Sequence, residues 1–246
     1  MRLAVLSDIH GNLAALEAVV ADLRRRGVDR VVNLGDSLSG PLLPLQTAQF
    51  LMAQDWLHLA GNHERQVLTG GPGHWNLSDE FTFAQLTERE LAWMRSLKSC
   101  QLFPPEVLLC HGTPRSDIEY FLETVEAGRT RLATEVEIED RLGTSTAALI
   151  LCGHTHVPRA VRSRSGQLIV NPGSVGLPAY DADLPQTHVV ETGAPEARYA
   201  IVEQHESAWS ASLLAVPYDH SRMSALARGR GREDWAYALA TGYARA

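Results

Sequence analysis

The sequence predicts a layered α/β fold, and three observations lead to that prediction. Short apolar runs, such as "LAVL" at 3–6 and "ALILC" at 148–152, recur along the chain and have the length and composition of buried strands. Segments with apolar residues at helical spacing lie between these runs. Most of the runs stop abruptly at a polar turn beside glycine or proline. This alternation favours helices packed in layers against a sheet.

The helical segments are predicted from periodicity and end signals. The segment "NLAALEAVVADLRRRG" at 12–27 has an apolar face and finishes in arginines and glycine, which is typical of a helix C-terminus. Helices are also expected in "PLQTAQFLMAQ" at 44–54 and in 78–97, where Ser78 or Thr87 is a candidate N-cap. The polar segment at 124–142 is predicted to be a surface helix.

The last third of the chain has a different character. The segment "QTHVVETGAPEARYAIVEQ" at 186–204 predicts two strands joined as a hairpin, 212–219 another strand, and 220–246 helix. The sequence has no low-complexity linker, which predicts one domain over 1–246, with motifs at 5–181 and the C-terminal hairpin and helices at 186–246 completing it. The apolar strands fit a homo-oligomer interface or an intramolecular sheet, and both stay open.

Composition excludes several classes of protein. A formal net charge of -7 over 246 residues argues against a nonspecific nucleic-acid binder, which needs a basic surface. The N-terminal apolar run is too short for a signal peptide, and no segment is expected to span a membrane. Three cysteines without CxxC spacing are expected to be reduced thiols, so the predicted location is cytoplasmic.

Polar side chains stand at five strand ends, and these are the candidate ligands. They are Asp8 and His10 in "SDIHGN", Asp36 in "GDS", Asn62 in "GNHE", His111 in "CHGTP", and His154 and His156 in "CGHTH". Any one of them is explained equally well by a turn or a cap. Because ligands bind at the carboxyl ends of strands in open α/β sheets, all seven can meet in one crevice.

The chemistry of this set predicts the cofactor. Two carboxylates, one carboxamide and four imidazoles, without thiolate, suit Mn, Fe, Zn, Co or Ni better than calcium or structural zinc. Seven ligands are too many for one ordinary centre and are right for two ions about 3.5–4 Å apart that share a carboxylate. We therefore expect two divalent transition-metal ions, with His154 and His156 as ligands, one to each.

The order of these motifs resembles the calcineurin-like metallophosphoesterase superfamily. The five motifs occur in the family's order over residues 5–157, and "NPGSVGLPAYD" at 171–181 resembles its small bacterial and archaeal phosphodiesterases. The resemblance implies a two-sheet β-sandwich flanked by helices in four layers. It assigns Asp8, His10 and His156 to the first metal, Asn62, His111 and His154 to the second, and Asp36 to both.

The resemblance also implies the activity. Two ions in such a centre, with manganese the first expectation, bind phosphate oxygens and lower the pKa of a bridging water, so that hydroxide exists near neutral pH and attacks phosphorus. His63, directly after a ligand, is implied to be the general acid for the leaving group, because imidazole titrates near working pH. The expected substrates are phosphodiesters or small nucleotides.

Departures from the family pattern leave alternatives open. The protein phosphatases of the superfamily carry an aspartate and an arginine where this chain has Ser39 and Gly40, and an arginine at Ala60. Their absence favours phosphodiesters over a protein or phosphomonoester phosphatase. A dinucleoside polyphosphate hydrolase, a nuclease and a non-catalytic protein-binding scaffold are the other hypotheses.

Residues that select the substrate are harder to place. Arg65 and Glu64 are candidates to compensate for the missing groups, although Glu64 fits a loop brace equally well. Trp75 in "TGGPGHWN" is a candidate to stack on a base or a phenyl group, or to anchor its loop. Tyr180, which follows the "NPGS" turn, is a candidate to line the cleft.

Overall fold

The computed structural model describes residues 1–104, 106–206 and 208–245, and strands and helices alternate there as the sequence predicts. The strands are β1 (Arg2–Leu6), β2 (Arg30–Asn33), β3 (Leu57–His58), β4 (Cys100–Phe103), β5 (Val107–Cys110), β6 (Glu123–Glu126), β7 (Arg129–Leu132), β8 (Leu149–Leu151), β9 (Arg159–Arg162), β10 (Leu168–Asn171), β11 (Ala179–Ala182), β12 (His188–Glu191), β13 (Ala197–His205) and β14 (Ala208–Val216). The helices are α1 (Leu13–Arg26), α2 (Pro44–Met52), α3 (Asn62–Thr69), α4 (Leu77–Gln85), α5 (Glu88–Ser96), α6 (Glu135–Leu142), α7 (His220–Gly229) and α8 (Glu233–Thr241).

Two five-stranded sheets form the centre of the fold. The first has the strand order β14-β13-β1-β2-β3, and the second β4-β5-β8-β10-β9. Within them β1, β2 and β3 are parallel, and so are β5, β8 and β10. Because parallel strands point the same way, the polar turns that follow them gather at one edge of each sheet.

The sheets pack face to face, and helices cover their outer faces. Alternate residues of β1 show the arrangement, since Leu3 and Val5 join the core between the sheets while Ala4 and Leu6 pack with α1. The outer face of the second sheet packs on α6. Both faces of each sheet are thus buried, which explains why the central strands are apolar without interruption. The predicted helix-flanked sandwich is confirmed.

A third, four-stranded sheet was not predicted and corrects the expectation of a helix at 124–142. Its order is β11-β12-β7-β6. Strands β6 and β7 form a hairpin through Ala127 and Gly128, both with positive φ, as in the tight turns that suit strand twist. The helix begins only after Thr134, whose side chain and that of Glu137 form a capping box. The spacing of the charged residues in 123–132 fits a helix as well as a strand. The pairing of β7 with β12 selects the strand.

The predicted hairpin over 186–204 is wrong, although both of its strands exist. Strand β12 pairs with β11 and β7 in the third sheet, whereas β13 pairs with β1 and β14 in the first. The apolar residues of β13 fill a central position between two neighbouring strands, which buries more apolar surface than a two-stranded hairpin. The chain therefore passes from one sheet to another through the Gly-Ala-Pro segment.

The helical segment at 78–97 contains two helices. Thr87 caps α5 together with Glu90, as expected of a candidate cap. Ser78 lies inside α4, whose cap is Asn76. The expected helices α1, α2, α7 and α8 are present. In the described ranges, no helix is both long and apolar enough to cross a lipid bilayer.

Candidate metal centre and substrate cavity

Most of the candidate ligands lie on sharp turns after β1, β2 and β8, whereas Asn62 begins α3 and His111 follows β5. Five of them have backbone φ between +50° and +68°, a region that non-glycine residues rarely adopt: Asp8, His10, Asp36, His154 and His156. The turns hold one another, since the backbone N–H groups of Asp8 and His10 donate to the carbonyls of Gly35 and Asp36 at 3.0 Å. Backbone strain of this kind is retained where it aims functional side chains.

Asp8, His10 and His156 form the first group of metal-ligating atoms, all within 4.8 Å of one another. The Nδ1 atoms of the two histidines donate to the carbonyls of Ser39 and Leu177 at 2.7 Å, which directs the Nε2 atoms of both rings inward. The two Nε2 atoms are only 3.1 Å apart. Asp8 Oδ1 is buried and has no hydrogen-bond partner. A cation among these atoms would satisfy all of them.

Asp36, His111 and His154 form the second group, and Asn62 joins them. His111 Nε2 lies 3.0 Å from Asp36 Oδ2 and 3.2 Å from Asn62 Oδ1. His154 Nε2 bonds the carbonyl of Ile118 at 3.1 Å, which leaves Nδ1 for a ligand. The two groups adjoin, because Asp8 Oδ1 is 4.0 Å from His111 Nε2.

Burial and charge set the protonation states of these groups. Burial alone raises the pKa of Asp8, but His156 and His111 bring it down to about 2, so the carboxylate is ionised. Burial lowers the pKa of His10 to about 4 and that of His154 to about 3, which keeps both rings neutral. Burial lowers the pKa of His111, but Asp36 and Asp8 raise it to about 10, so this ring carries a proton that a bound cation would displace. Ionised carboxylates and neutral imidazoles are the forms that bind divalent metals.

Two glycines of the motifs are required by close approach. A Cβ at Gly61 would collide with Asp36 Oδ1, and one at Gly153 would collide with Ser7 Oγ. The glycines before Asn62 and His154 therefore allow the turns from different strands to touch.

His63 lies beside both groups and has a carboxylate partner that the sequence did not reveal. Its Nδ1 is 2.8 Å from Asp79 Oδ1, and its ring is 5.5 Å from that of His10. Burial lowers the pKa of His63, but the carboxylates of Asp36 and Asp79 outweigh that effect and raise it to about 9. The ring is therefore held in its acidic form, with Nε2–H free to donate.

The carboxylate beside His63 is that of Asp79 and does not come from position 39, where the protein phosphatases carry an aspartate and this chain has serine. Ser39 Oγ donates to Asp79 Oδ1 at 2.6 Å, and Asn76 Nδ2 donates to its Oδ2 at 2.7 Å. The carboxylate comes from the first turn of α4, 16 residues after His63. In the sequence, the only sign of a different partner for His63 is the serine at position 39 in place of aspartate. No spacing rule identifies Asp79 as that partner.

Glu64 braces the loops of the centre. Its carboxylate accepts hydrogen bonds from the backbone N–H groups of Asp36, Ser37 and Gly61, each at 2.8 Å. The side chain is buried, and burial followed by the charge of Asp36 raises its pKa. Of the two interpretations of Glu64 from sequence, the structure shows the loop brace.

A cavity of about 1090 Å³ opens from the centre, and His10, His63, His154 and His156 line one end of it. Tyr180, the candidate from the sequence, also lines it, with its ring 4.7 Å from that of His156. Tyr120, which the sequence did not single out, bonds Tyr180 through their hydroxyls at 2.8 Å. The third sheet supplies Tyr180 and is thus tied to the candidate centre.

Arg65 and Trp75, the other two candidates for substrate contact, do not line this cavity. Arg65 makes a bidentate ion pair with Asp117 at 2.6 and 2.8 Å. Trp75 stacks on Phe83 at 4.5 Å and donates from Nε1 to the carbonyl of Gln66. The structure places Arg65 in a surface ion pair and Trp75 as an anchor of its loop.

Comparisons with known proteins agree with this geometry. The family model described as the calcineurin-like phosphoesterase superfamily domain matches residues 1–195. An uncharacterised protein of Methanocaldococcus jannaschii is 25% identical over 244 aligned residues, covering 88% of each chain. The crystal structure of a metallophosphoesterase from Sphaerobacter thermophilus is similar with a TM-score of 0.78 at 25% identity, covering 98% of this chain and 99% of that one.

A further solved structure supports the fold beyond the matched residues. A hypothetical protein from Pyrococcus horikoshii has a TM-score of 0.74 at 16% identity, with 98% of each chain covered. These structures therefore share the C-terminal strands and helices, which lie outside the range of the family model. The superfamily uses divalent metals to hydrolyse phosphate esters, and the two groups of ligating atoms fit that use. The chain belongs to the calcineurin-like phosphoesterase superfamily.

Proposed function

We propose that the protein hydrolyses phosphodiesters with two divalent transition-metal ions, manganese first among them. Asp8, His10 and His156 would hold one ion, Asn62, His111 and His154 the other, and Asp36 both. The observation that carries this proposal is the convergence of these seven side chains beside the His63–Asp79 pair. Ions bound there supply Lewis-acid polarisation of the phosphate and a water of lowered pKa.

The residues of the chain supply the proton for the leaving group. His63 Nδ1 is committed to Asp79, so its Nε2–H is the proton that can pass to the departing oxygen. With bound cations offsetting the charge of Asp36, Asp79 remains as the carboxylate that keeps His63 protonated and oriented. The main-chain N–H of His63 donates to Asp36 Oδ1 at 2.9 Å, which fixes the acid relative to the bridging ligand.

The surroundings of Gly40 support a diester over a monoester. A monoester dianion calls for additional cations around the phosphate, such as the arginine that protein phosphatases carry here. A Cβ on Gly40 would lie 2.7 Å from Trp235 Cη2 and 2.6 Å from the carbonyl of His10, so the space of that side chain is filled. The singly charged phosphate of a diester needs less compensation.

Hydrolysis of bis-p-nitrophenyl phosphate beside p-nitrophenyl phosphate tests this function. Protein stripped with chelator and reloaded with Mn is compared with His63→Ala and Asp36→Asn. His74→Ala, a change of an exposed histidine outside the cavity, is the matched control. We expect turnover of the diester that Asp36→Asn loses and the control keeps. His63→Ala should slow dialkyl phosphates, whose leaving oxygen needs a proton, far more than this ester, whose p-nitrophenolate leaves without one.

The other outcomes separate the competing functions. Preference for the monoester would return the phosphatase hypothesis. Faster hydrolysis of dinucleoside polyphosphates than of either model ester would identify an anhydride hydrolase. Two bound ions without turnover of any phosphate ester would refute the proposal and favour a non-catalytic scaffold.

A further inference from the structure

We infer that the substrate is a phosphate ester whose organic group is an extended apolar chain, bound along the cavity beyond the centre. This inference rests on the proposed function and names its substrate class. Three features of the cavity lead to it: its size, its apolar rim and its balance of charge.

The cavity is much larger than a phosphate group and a small substituent require. Its volume of about 1090 Å³ lies just above the range of about 300–1,000 Å³ that ligand sites usually occupy. One wall comes from the third sheet, including Val125 of β6 and Ala182 of β11. A further part of the lining comes from α8, where Trp235 packs 5.9 Å from the ring of His10 and Ala238 follows one turn later. An elongated group can extend along these surfaces while its phosphate stays at the histidines.

The rim of the cavity exposes large aliphatic side chains. Leu77, Ile118 and Leu184 are 69%, 54% and 77% exposed, and all three line this one cavity. They come from α4, from the segment after β5, and from the segment after β11. A single exposed leucine is ordinary, but exposed aliphatic groups that converge from three segments on one opening mark a binding surface for apolar groups.

The charges in the cavity disfavour a second anionic group on the substrate. Outside the metal-ligating residues, the lining has three arginines against five carboxylates: Arg141, Arg232 and Arg245, and Glu119, Glu123, Asp181, Asp183 and Asp234. These arginines already have partners or neighbours of opposite charge. Arg232 bonds Asp234 and Ser78, and Arg141 donates to main-chain carbonyls of the third-sheet segment.

Glu119 and Glu123 are likewise paired, with Arg115 and Arg159, so the lining carboxylates for which the described residues offer no arginine partner are Asp181 and Asp183. A polyphosphate or nucleotide chain would meet these two carboxylates beyond the centre, where Arg141 and Arg232 already donate to groups of the protein. An uncharged apolar chain meets no such repulsion, and burying it against the rim and walls releases water from apolar surface on both sides. Size, rim and charge thus agree on one class of organic group.

A series of alkyl p-nitrophenyl phosphodiesters, from methyl to octyl, tests the inference in the Mn-loaded protein. All members share one leaving group, so kcat/KM reports the contribution of the alkyl chain. A fully buried methylene contributes a factor of about four, and partial cover a factor of about two. We expect kcat/KM to rise about twofold for each added methylene, mainly through KM.

Matched variants locate the effect. Leu77→Gln and Leu184→Gln are compared with Leu102→Gln, since Leu77 and Leu102 are 69% and 68% exposed and Leu102 lies on β4 away from the cavity. Exposed sites tolerate these changes, so folding is kept. We expect each rim variant to lose about three- to tenfold in kcat/KM for the octyl ester and little for the methyl ester, with Leu102→Gln unchanged on both.

Binding of alkylphosphonates, which are not hydrolysed, gives a second readout by calorimetry. Affinity that rises from methyl- to octylphosphonate supports the inference even where turnover of the esters is poor. Hydrolysis of the methyl ester with no dependence on chain length in either assay would overturn the inference and leave the proposed function standing. Loss of all hydrolysis together with chain-dependent binding would overturn the proposed function alone.

The source of such a chain is distinguished by presenting the octyl ester as free monomer and in phosphatidylcholine vesicles. Faster hydrolysis of the monomer assigns a free amphiphile, and faster hydrolysis in vesicles assigns a bilayer lipid. A kcat/KM for a diadenosine polyphosphate equal to or higher than that for the octyl ester would contradict the argument from charge.

Discussion

The partnership of Asp79 with His63 gives the sharpest expectation about catalysis. Asp79→Asn removes one negative charge and changes the shape of the side chain very little. If the new amide keeps its oxygen toward His63, its nitrogen faces Nδ2 of Asn76, which now donates to Asp79 Oδ2. Two donors then face each other, so the substitution weakens both the orientation of the His63 ring and the hold on its proton.

The size of the effect follows from the hydrogen bond that is lost. The bond is 2.8 Å long, and the side chain of Asp79 is only 2% exposed. A hydrogen bond to a charged group in such a place contributes about 1.5–3 kcal/mol. At 1.36 kcal/mol for each factor of ten, we expect kcat to fall about 10- to 100-fold, which is less than the full contribution of about 10²–10⁴ that a general acid supplies.

The assay separates loss of the acid from general damage to the site. p-Nitrophenolate can leave without being protonated, whereas an alkoxide needs a proton from the acid. Asp79→Asn should therefore slow the hydrolysis of dialkyl phosphates far more than that of bis-p-nitrophenyl phosphate. Glu80→Gln, which removes an exposed carboxylate from the same helix turn, is the control and should leave both rates unchanged. Equal loss on all esters, or none, would refute the role of Asp79 as the residue that positions the acid.

Three further expectations concern stability. Glu64→Gln leaves at least one of three backbone N–H groups facing an amide nitrogen, so the free energy of unfolding should fall by about 1–3 kcal/mol in urea titration; no change would contradict the brace. Burial lowers the pKa of His58 from 6.5 to about 4, so the unfolded chain takes up this proton at a higher pH than the folded protein does. The free energy of unfolding should therefore fall by up to about 3 kcal/mol as the pH falls from 6.5 to about 4. His58→Phe should flatten this dependence, and equal slopes in both proteins would count against it. Mn should raise the melting temperature by binding only the folded state, and Asp8→Asn should reduce the shift; a melting temperature insensitive to Mn would argue against the centre.

The residue patterns were sufficient for a layered α/β fold and for the gathering of its polar turns, and the resemblance to the family implied the sandwich. Apolar runs without alternation indicate strands covered on both faces, and a polar stop after each run is a local signal that needs no partner to be recognised. The seven candidate ligands all lie within a few residues of the ends of predicted strands, so the strand ends alone were enough to identify them as candidates. Whether the chain is one domain and whether it forms oligomers stay predictions.

Long-range contacts decided the rest. The exchange of the predicted helix at 124–142 for a hairpin depends on pairing with β12, more than 50 residues later in the chain. The same holds for β13, whose neighbour is the first strand of the protein. Local patterns cannot report such pairings, because the free energy that selects them comes from apolar surface buried between distant segments.

The catalytic surroundings show the same division between sequence and structure. The sequence determined that His63 follows a ligand and that its usual partner is replaced by Ser39. Only the folded chain brings Asp79 to 2.8 Å from the ring and Trp235 into the space beside Gly40. Both residues come from helices with no motif of their own, and they act through packing geometry. The sequence therefore predicted which side chains could ligate metals, and the tertiary structure decided which carboxylate lies beside His63 and how large a cavity adjoins the candidate centre.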